Sequence, residues 1–248
     1  MEKKRYYNDN VGANKENEIL ALKKALELCN EIGDITQIVF LIHTKGNTGY
    51  LERIFNTRNV KNLFRGVKMD ESYPPMKIET LRTFNDDYQG NKIVVAFGLR
   101  SNELHKYDDY ENITGIIAHQ WMEDSVKDWA RTWGAIDIKS ETKIEKTELP
   151  DKVVQKAFID LSNSINMSTG IHHFMDEEQC KTYIRALNKY NYELNSKQIF
   201  SFLTTELNWE SDYANDIIKL IDKVNSGGYF KGGAKTGLQH YIKRWKSE

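Results

Sequence analysis

The stretch Ile38-Val39-Phe40-Leu41-Ile42-His43-Thr44-Lys45-Gly46-Asn47 runs from an unbroken apolar segment straight into a polar loop that contains glycine. Apolar runs without polar alternation are the mark of strands buried on both faces, and such strands belong to parallel sheets covered by helices. Two further segments have the same form. Ile93 to Phe97 exits into Gly98-Leu99-Arg100-Ser101, and Ile116 to Ala118 exits into His119-Gln120-Trp121. In open parallel sheets the ligand crevice lies outside the carboxyl ends of the strands, so the three exits predict one shared crevice.

Working outward, a helix is expected ahead of the first run. Ile19, Leu22, Leu26 and Cys29 recur at steps of three and four, Asn14 stands near its start, and Gly33 stands where it would stop. Tyr50 to Phe55 resumes helical spacing after the loop. The segment from Gly66 to Pro75, with its Pro-Pro pair, reads as a surface connection, and Ile78 to Phe84 as an edge strand. Met122, Val126, Trp129 and Trp133 predict a helix opening at Asp124 and ending at Gly134, followed by a short strand at Ile136-Asp137-Ile138.

Residues 139–148 hold little apolar material and run into Pro150, the composition of a linker. Beyond it the period is helical throughout. Val154, Phe158, Leu161 and Ile165 mark one helix, and Asp176 with Gln179 forms a capping-box start to the next. Ser196, Ser211 and Thr236 introduce three more, the second stopped by Gly227-Gly228. The fold class expected is α/β: an N-terminal open, mostly parallel, Rossmann-like sheet with flanking helices, followed by a C-terminal all-α helical bundle. The corresponding division is residues 1–138, a linker at 139–150, and a helical domain at 151–248.

The chain of 248 residues is 40% hydrophobic, ample for a packed core, and its net charge of -1 gives no global pull on an anionic partner. Cys29 and Cys180 are too few for a disulfide framework, which fits a reducing cytosol. The start, Met1 to Tyr7, is basic without an apolar segment behind it, and no stretch approaches the length of a membrane span. A cytoplasmic protein without a membrane partner is therefore expected.

Three groups of candidate residues stand at the exits. In the first loop, glycine backbone and a helix N-terminus suit a phosphate, with Thr44, Lys45, Gly46 and Asn47 as ligand contacts. The spacing matches neither G-x-G-x-x-G nor a Walker A loop. Arg100 and Ser101 leave the second strand where a guanidinium can grip a phosphate or carboxylate in two-point fashion. At the third exit His119 can exchange protons and Trp121 can stack on a ring. His43 and His119 are the candidate acid–base groups, together with Glu52 early in the helix after the first loop.

One basic patch stands apart. Between Lys223 and Ser247 there are six Lys or Arg residues and no Asp or Glu. Ser226 to Gly237 is glycine-rich, a density that neither helix nor strand tolerates, and Lys231, Lys235, Lys243, Arg244 and Lys246 could follow a nucleic-acid backbone. His172, His173, Glu177 and Cys180 lack a standard zinc spacing, so no metal site is expected and no cofactor is named.

The leading functional expectation is binding, with hydrolysis or transfer, of a nucleotide-like or other anionic small molecule by the α/β half, while the helical half recognises a partner or closes the site. The alternative is a non-enzymatic module that binds nucleic acid or protein through the basic C-terminal segment.

Overall fold

In the computed structural model, residues 2–9, 11–87 and 89–247 are described. The chain divides into two compact units, Met1–Lys146 and Thr147–Glu248. The first is a six-stranded parallel sheet between helices. Its elements are β1 (Lys4–Asn8), α1 (Lys15–Ile32), β2 (Ile35–Ile42), α2 (Gly49–Ile54), α3 (Thr57–Leu63), β3 (Met76–Thr80), β4 (Asn91–Phe97), α4 (Ser101–Asp108), β5 (Ile113–His119), α5 (Lys127–Trp133) and β6 (Ile136–Asp137). The strand order is β3-β2-β4-β5-β1-β6, and every ladder is parallel.

Alternate residues of each central strand feed two cores. Ile38, Phe40, Ile93, Val95 and Ile117 pack against α1, α2 and α3 through Ala25, Leu28, Leu51 and Leu63. Val39, Leu41, Val94, Ala96 and Ile116 pack against α4 and α5 through Leu104, Tyr107 and Trp129. Both faces are thus covered, which is why the strands lack polar alternation.

The connections follow one rule. Those that step toward the β3 edge, through α1, α2 and α3, run over the first face; those that step toward the β6 edge, through Phe84, α4 and α5, run over the second. Every crossover therefore has the same hand, as parallel sheets require. The neighbours β2 and β4 send their chains to opposite faces and in opposite directions. Their carboxyl ends are the topological switch point of the sheet.

Local signals explain the first helix. The Asn14 carboxamide oxygen accepts from the Glu16 and Asn17 N–H groups at 3.0 and 3.2 Å. Gly33 closes the helix at φ +83°, donating to the Cys29 carbonyl.

Elsewhere the sequence expectation is corrected. β1 is a central strand between β5 and β6, although Lys4-Arg5-Tyr6-Tyr7 shows no apolar run. Its Arg5 forks onto the buried Asp108 at 2.7 to 3.1 Å, so charge compatible with the interior replaces hydrophobicity. The helix predicted to open at Asp124 begins at Lys127, because Asp124 has φ +58° and cannot continue a helix. The edge strand ends at Thr80, where the Thr83 hydroxyl accepts from the Thr80 N–H. Part of the stretch read as a linker at 139–150 is tied to the first unit: Lys143 bridges to Ile136, and the Ile144 N–H donates to Ala135.

The second unit contains α6 (Lys152–Ser164), a 3-10 turn at Met167–Thr169, α7 (Phe174–Lys189), α8 (Ser196–Thr205), α9 (Ser211–Asn225) and α10 (Gln239–Ser247). Phe158, Ile184, Leu203, Ile217 and Trp245 meet in its core. α7 starts two residues ahead of the predicted Asp176, capped by the His173 ring, which accepts from the Met175 N–H. Among the described residues, no helix is long and apolar enough to cross a membrane.

Candidate functional site

An open crevice of about 460 Å³ lies at the switch point, beyond the ends of β2, β4 and β5. The loop after β2 contributes His43, Gly46 and Asn47, and α2 contributes Gly49, Tyr50 and Arg53. Phe97, Gly98 and Arg100 come from the end of β4, and Trp121, Met122 and Ser125 from the loop after β5. Three exits separated widely in sequence therefore meet in one hollow.

The first loop is held by its own side chains. Asn47 Oδ1 accepts from both the N–H and the hydroxyl of Thr44, at 3.1 and 2.8 Å, while the Asn47 N–H donates to the Thr44 carbonyl. This closed turn presents Gly46 and Asn47 to the crevice and leaves Thr44 and Lys45 outside its lining. Glu52 is exposed, accepts from the Thr48 hydroxyl at 2.7 Å, and is likewise outside the lining.

The second loop holds the charged groups. Arg100 precedes α4, and its N–H donates to Glu103 Oε2 at 2.8 Å. The same carboxylate oxygen lies 3.3 Å from His43 Nε2. Glu103 thus caps the helix and orients an imidazole on the neighbouring loop. The Arg100 guanidinium is exposed and has no side-chain partner among the described residues. Ser101, by contrast, is a fastener: its N–H and hydroxyl donate to the Ser125 carbonyl at 2.8 and 3.0 Å, and its oxygen accepts from the Trp129 N–H.

Rings form the floor. Tyr50 stacks on Phe97 at 5.2 Å and meets Trp121 edge-on at 5.4 Å. Trp121 is 44% exposed, so one side of its indole is open to a ligand. Burial pushes the Tyr50 phenol up to about 12, which keeps it neutral. Arg53 forks onto the buried Glu18, its Nε lying 2.9 Å from both carboxylate oxygens, and rests beside the Tyr50 ring.

His119 is not on the rim. It is the last residue of β5, in register with Phe97, and is buried behind the rings of Phe97 and Tyr50 at 5.5 and 5.9 Å. Among the described residues, neither ring nitrogen has a hydrogen-bond partner. Burial, aided by the charge of Arg53, pushes its pKa down to about 4, so it is neutral at physiological pH and walled off from solvent. Besides His119, the buried polar atoms without a partner among the described residues include Gln120 Oε1 and Ser125 Oγ, and Ser125 lines the crevice itself. Glu103, Tyr50, Arg53 and Ser125 escaped the sequence reading. For Glu103 a signal existed, a carboxylate at the third position of a helix that starts after a strand exit.

The helical unit treats its basic segment unevenly. The Arg244 guanidinium is bound to Asp160 and to the Tyr183 hydroxyl, while Lys231, Lys235, Lys243 and Lys246 are exposed. Cys180 is fully buried and Cys29 nearly so, and burial raises both thiols above the usual range. Among the described residues no group of three His, Cys, Asp or Glu side chains is arranged to hold a metal ion.

Residues 150–246 match a family described as Domain of unknown function (DUF1889). The match covers the helical unit and does not reach the crevice. No curated protein and no solved structure matches the chain.

Proposed function

We propose that the α/β unit binds a nucleotide-like or other phosphate-bearing small molecule in the crevice beyond β2, β4 and β5. The observation that carries this reading is the convergence of an unpaired guanidinium, Arg100, with an open indole, Trp121, at the sheet's switch point. Arg100 grips the anion in two-point fashion, with the Gly46 and Asn47 loop alongside. Trp121 and Tyr50 cover the ring of the ligand. His43, held by Glu103, is the group placed for proton transfer, and hydrolysis or transfer of part of the ligand proceeds there. His119 and Glu52, outside the lining, have no proton-transfer role in this reading.

Thermal melting of the full chain with AMP, ADP, ATP and inorganic phosphate tests the reading. A ligand at one hundred times its Kd stabilises by about 2.7 kcal/mol, a readily measured shift. Arg100→Ala abolishes that shift, while His43→Ala keeps it and loses any turnover. Melting unmoved by every one of these compounds, or an unchanged response in Arg100→Ala, overturns the proposal.

A further inference from the structure

Independently of the crevice, we propose that the helical unit binds single-stranded nucleic acid through the exposed lysines of residues 229–235 and α10. The segment from Lys223 to Ser247 carries six basic residues and no acidic one, although the whole chain is nearly neutral. Lys223 belongs to α9, and the structure sorts the other five charges into two kinds. Arg244 is consumed internally by Asp160 and Tyr183. Lys231, Lys235, Lys243 and Lys246 are exposed, and none has an ion-pair partner among the described residues.

The glycine-rich stretch is a fixed strap rather than a loose loop. The Gly233 N–H donates to Glu178 Oε2 at 2.6 Å, and the Ala234 N–H donates to the Thr182 hydroxyl at 2.8 Å. Arg185, also on α7, returns bonds to the carbonyls of Ala234 and Phe230 at 3.0 and 3.2 Å. Lys231 and Lys235 are therefore carried on backbone whose position is already determined, so little chain entropy is lost when they meet phosphates. The neighbouring carboxylates do not cancel them: Glu177 and Glu178 both pair with Lys181, and Glu178 also holds the strap.

Aromatic rings accompany the charges. Tyr229, where the strap begins, is 72% exposed, and the Lys246 ammonium lies 5.8 Å from the Tyr192 ring. Phosphate-tracking lysines beside an open ring are the elements of sequence-tolerant single-strand binding. A membrane surface fits less well. A helix lying on lipid must offer its apolar side to the bilayer, whereas α10 spends Ile242 and Trp245 on the core.

The test is fluorescence anisotropy of the full chain with labelled oligonucleotides of about 20 nucleotides, single-stranded and duplex, at about 20 and 200 mM salt, with anionic phospholipid vesicles as a separate arm. Four phosphate contacts predict a slope of log affinity on log salt of about -3 for the single strand. Joint replacement Lys231→Glu, Lys235→Glu, Lys243→Glu and Lys246→Glu lowers affinity at least about tenfold and flattens the slope. Tyr229→Ala weakens single-strand binding and leaves the salt slope in place. The same four lysines changed to Gln serve if the Glu set alters the circular dichroism spectrum. No oligonucleotide binding at low salt, undiminished binding by the lysine variants, or binding to vesicles alone overturns the proposal.

Discussion

Tyr50 and Gly98 face each other across the floor of the crevice so closely that a Cβ added at position 98 would stand 2.6 Å from the Tyr50 hydroxyl oxygen. Gly98 also has φ +72°, a conformation that costs other residues about 1–2 kcal/mol. Gly98→Ala is therefore expected to destabilise the α/β unit by about 2 kcal/mol and to tilt the Tyr50 ring off Phe97. Urea unfolding measures the first effect; the near-ultraviolet circular dichroism of the packed Tyr50, Phe97 and Trp121 rings measures the second.

The Glu18 carboxylate is fully buried and depends on Arg53. Removing one partner of such a pair leaves an uncompensated charge inside. Arg53→Met is expected to cost about 2–3 kcal/mol, at the lower end for buried pairs because the Arg53 side chain is about one-third exposed. The double variant with Glu18→Gln should recover part of the loss in a double-mutant cycle.

His119 makes the fold sensitive to acid. Its pKa falls from the usual 6.5 to about 4 on folding, so between those values the unfolded chain binds a proton that the native state does not. Stability from this source is complete above pH 6.5 and falls as the pH drops toward 4, by about 2 kcal/mol at pH 5. Denaturant unfolding at pH 7.5 and pH 5 should show a smaller difference for His119→Gln than for the native chain. His105 is likewise held down to about 4 by burial and contributes with the same sign.

In the helical unit, a Cβ at Gly232 would fall on the Glu178 carboxylate, and Gly232 has φ +88°. Gly232→Ala is expected to lift the strap from α7 and cost about 2 kcal/mol. Amide exchange checks this: the Gly233 and Ala234 N–H groups should lose protection while the core of α7 keeps it.

How far the sequence disclosed the molecule depended on whether a signal was local. β2, β4 and β5 were legible because burial on both faces forces apolar runs, and α1 because Asn14 and Gly33 mark its ends. β1 was hidden because Arg5 finds its counter-charge on Asp108, far along the chain. The crevice was legible in outline, since His43, Gly46, Asn47, Arg100 and Trp121 line it together. His119 was misplaced for a reason of phase: it alternates onto the same side as Ile117 and Phe97, under α2, and not outward with Trp121. Arg53 stayed out of view because its role arises from a partner on another element, Glu18; for Glu103 the capping role was legible locally, and only its contact with His43 was not.

The position of β1 has a consequence for how the chain is born. Its ladders are with β5 and β6, and Arg5 waits for a carboxylate 103 residues downstream. At a synthesis rate of about 5–20 residues per second, the first strand spends roughly 5–20 s outside the ribosome before any of its neighbours emerges. β1 therefore has no ladder partner until β5 is made, so the earliest strand of the sheet is among the last to find its place.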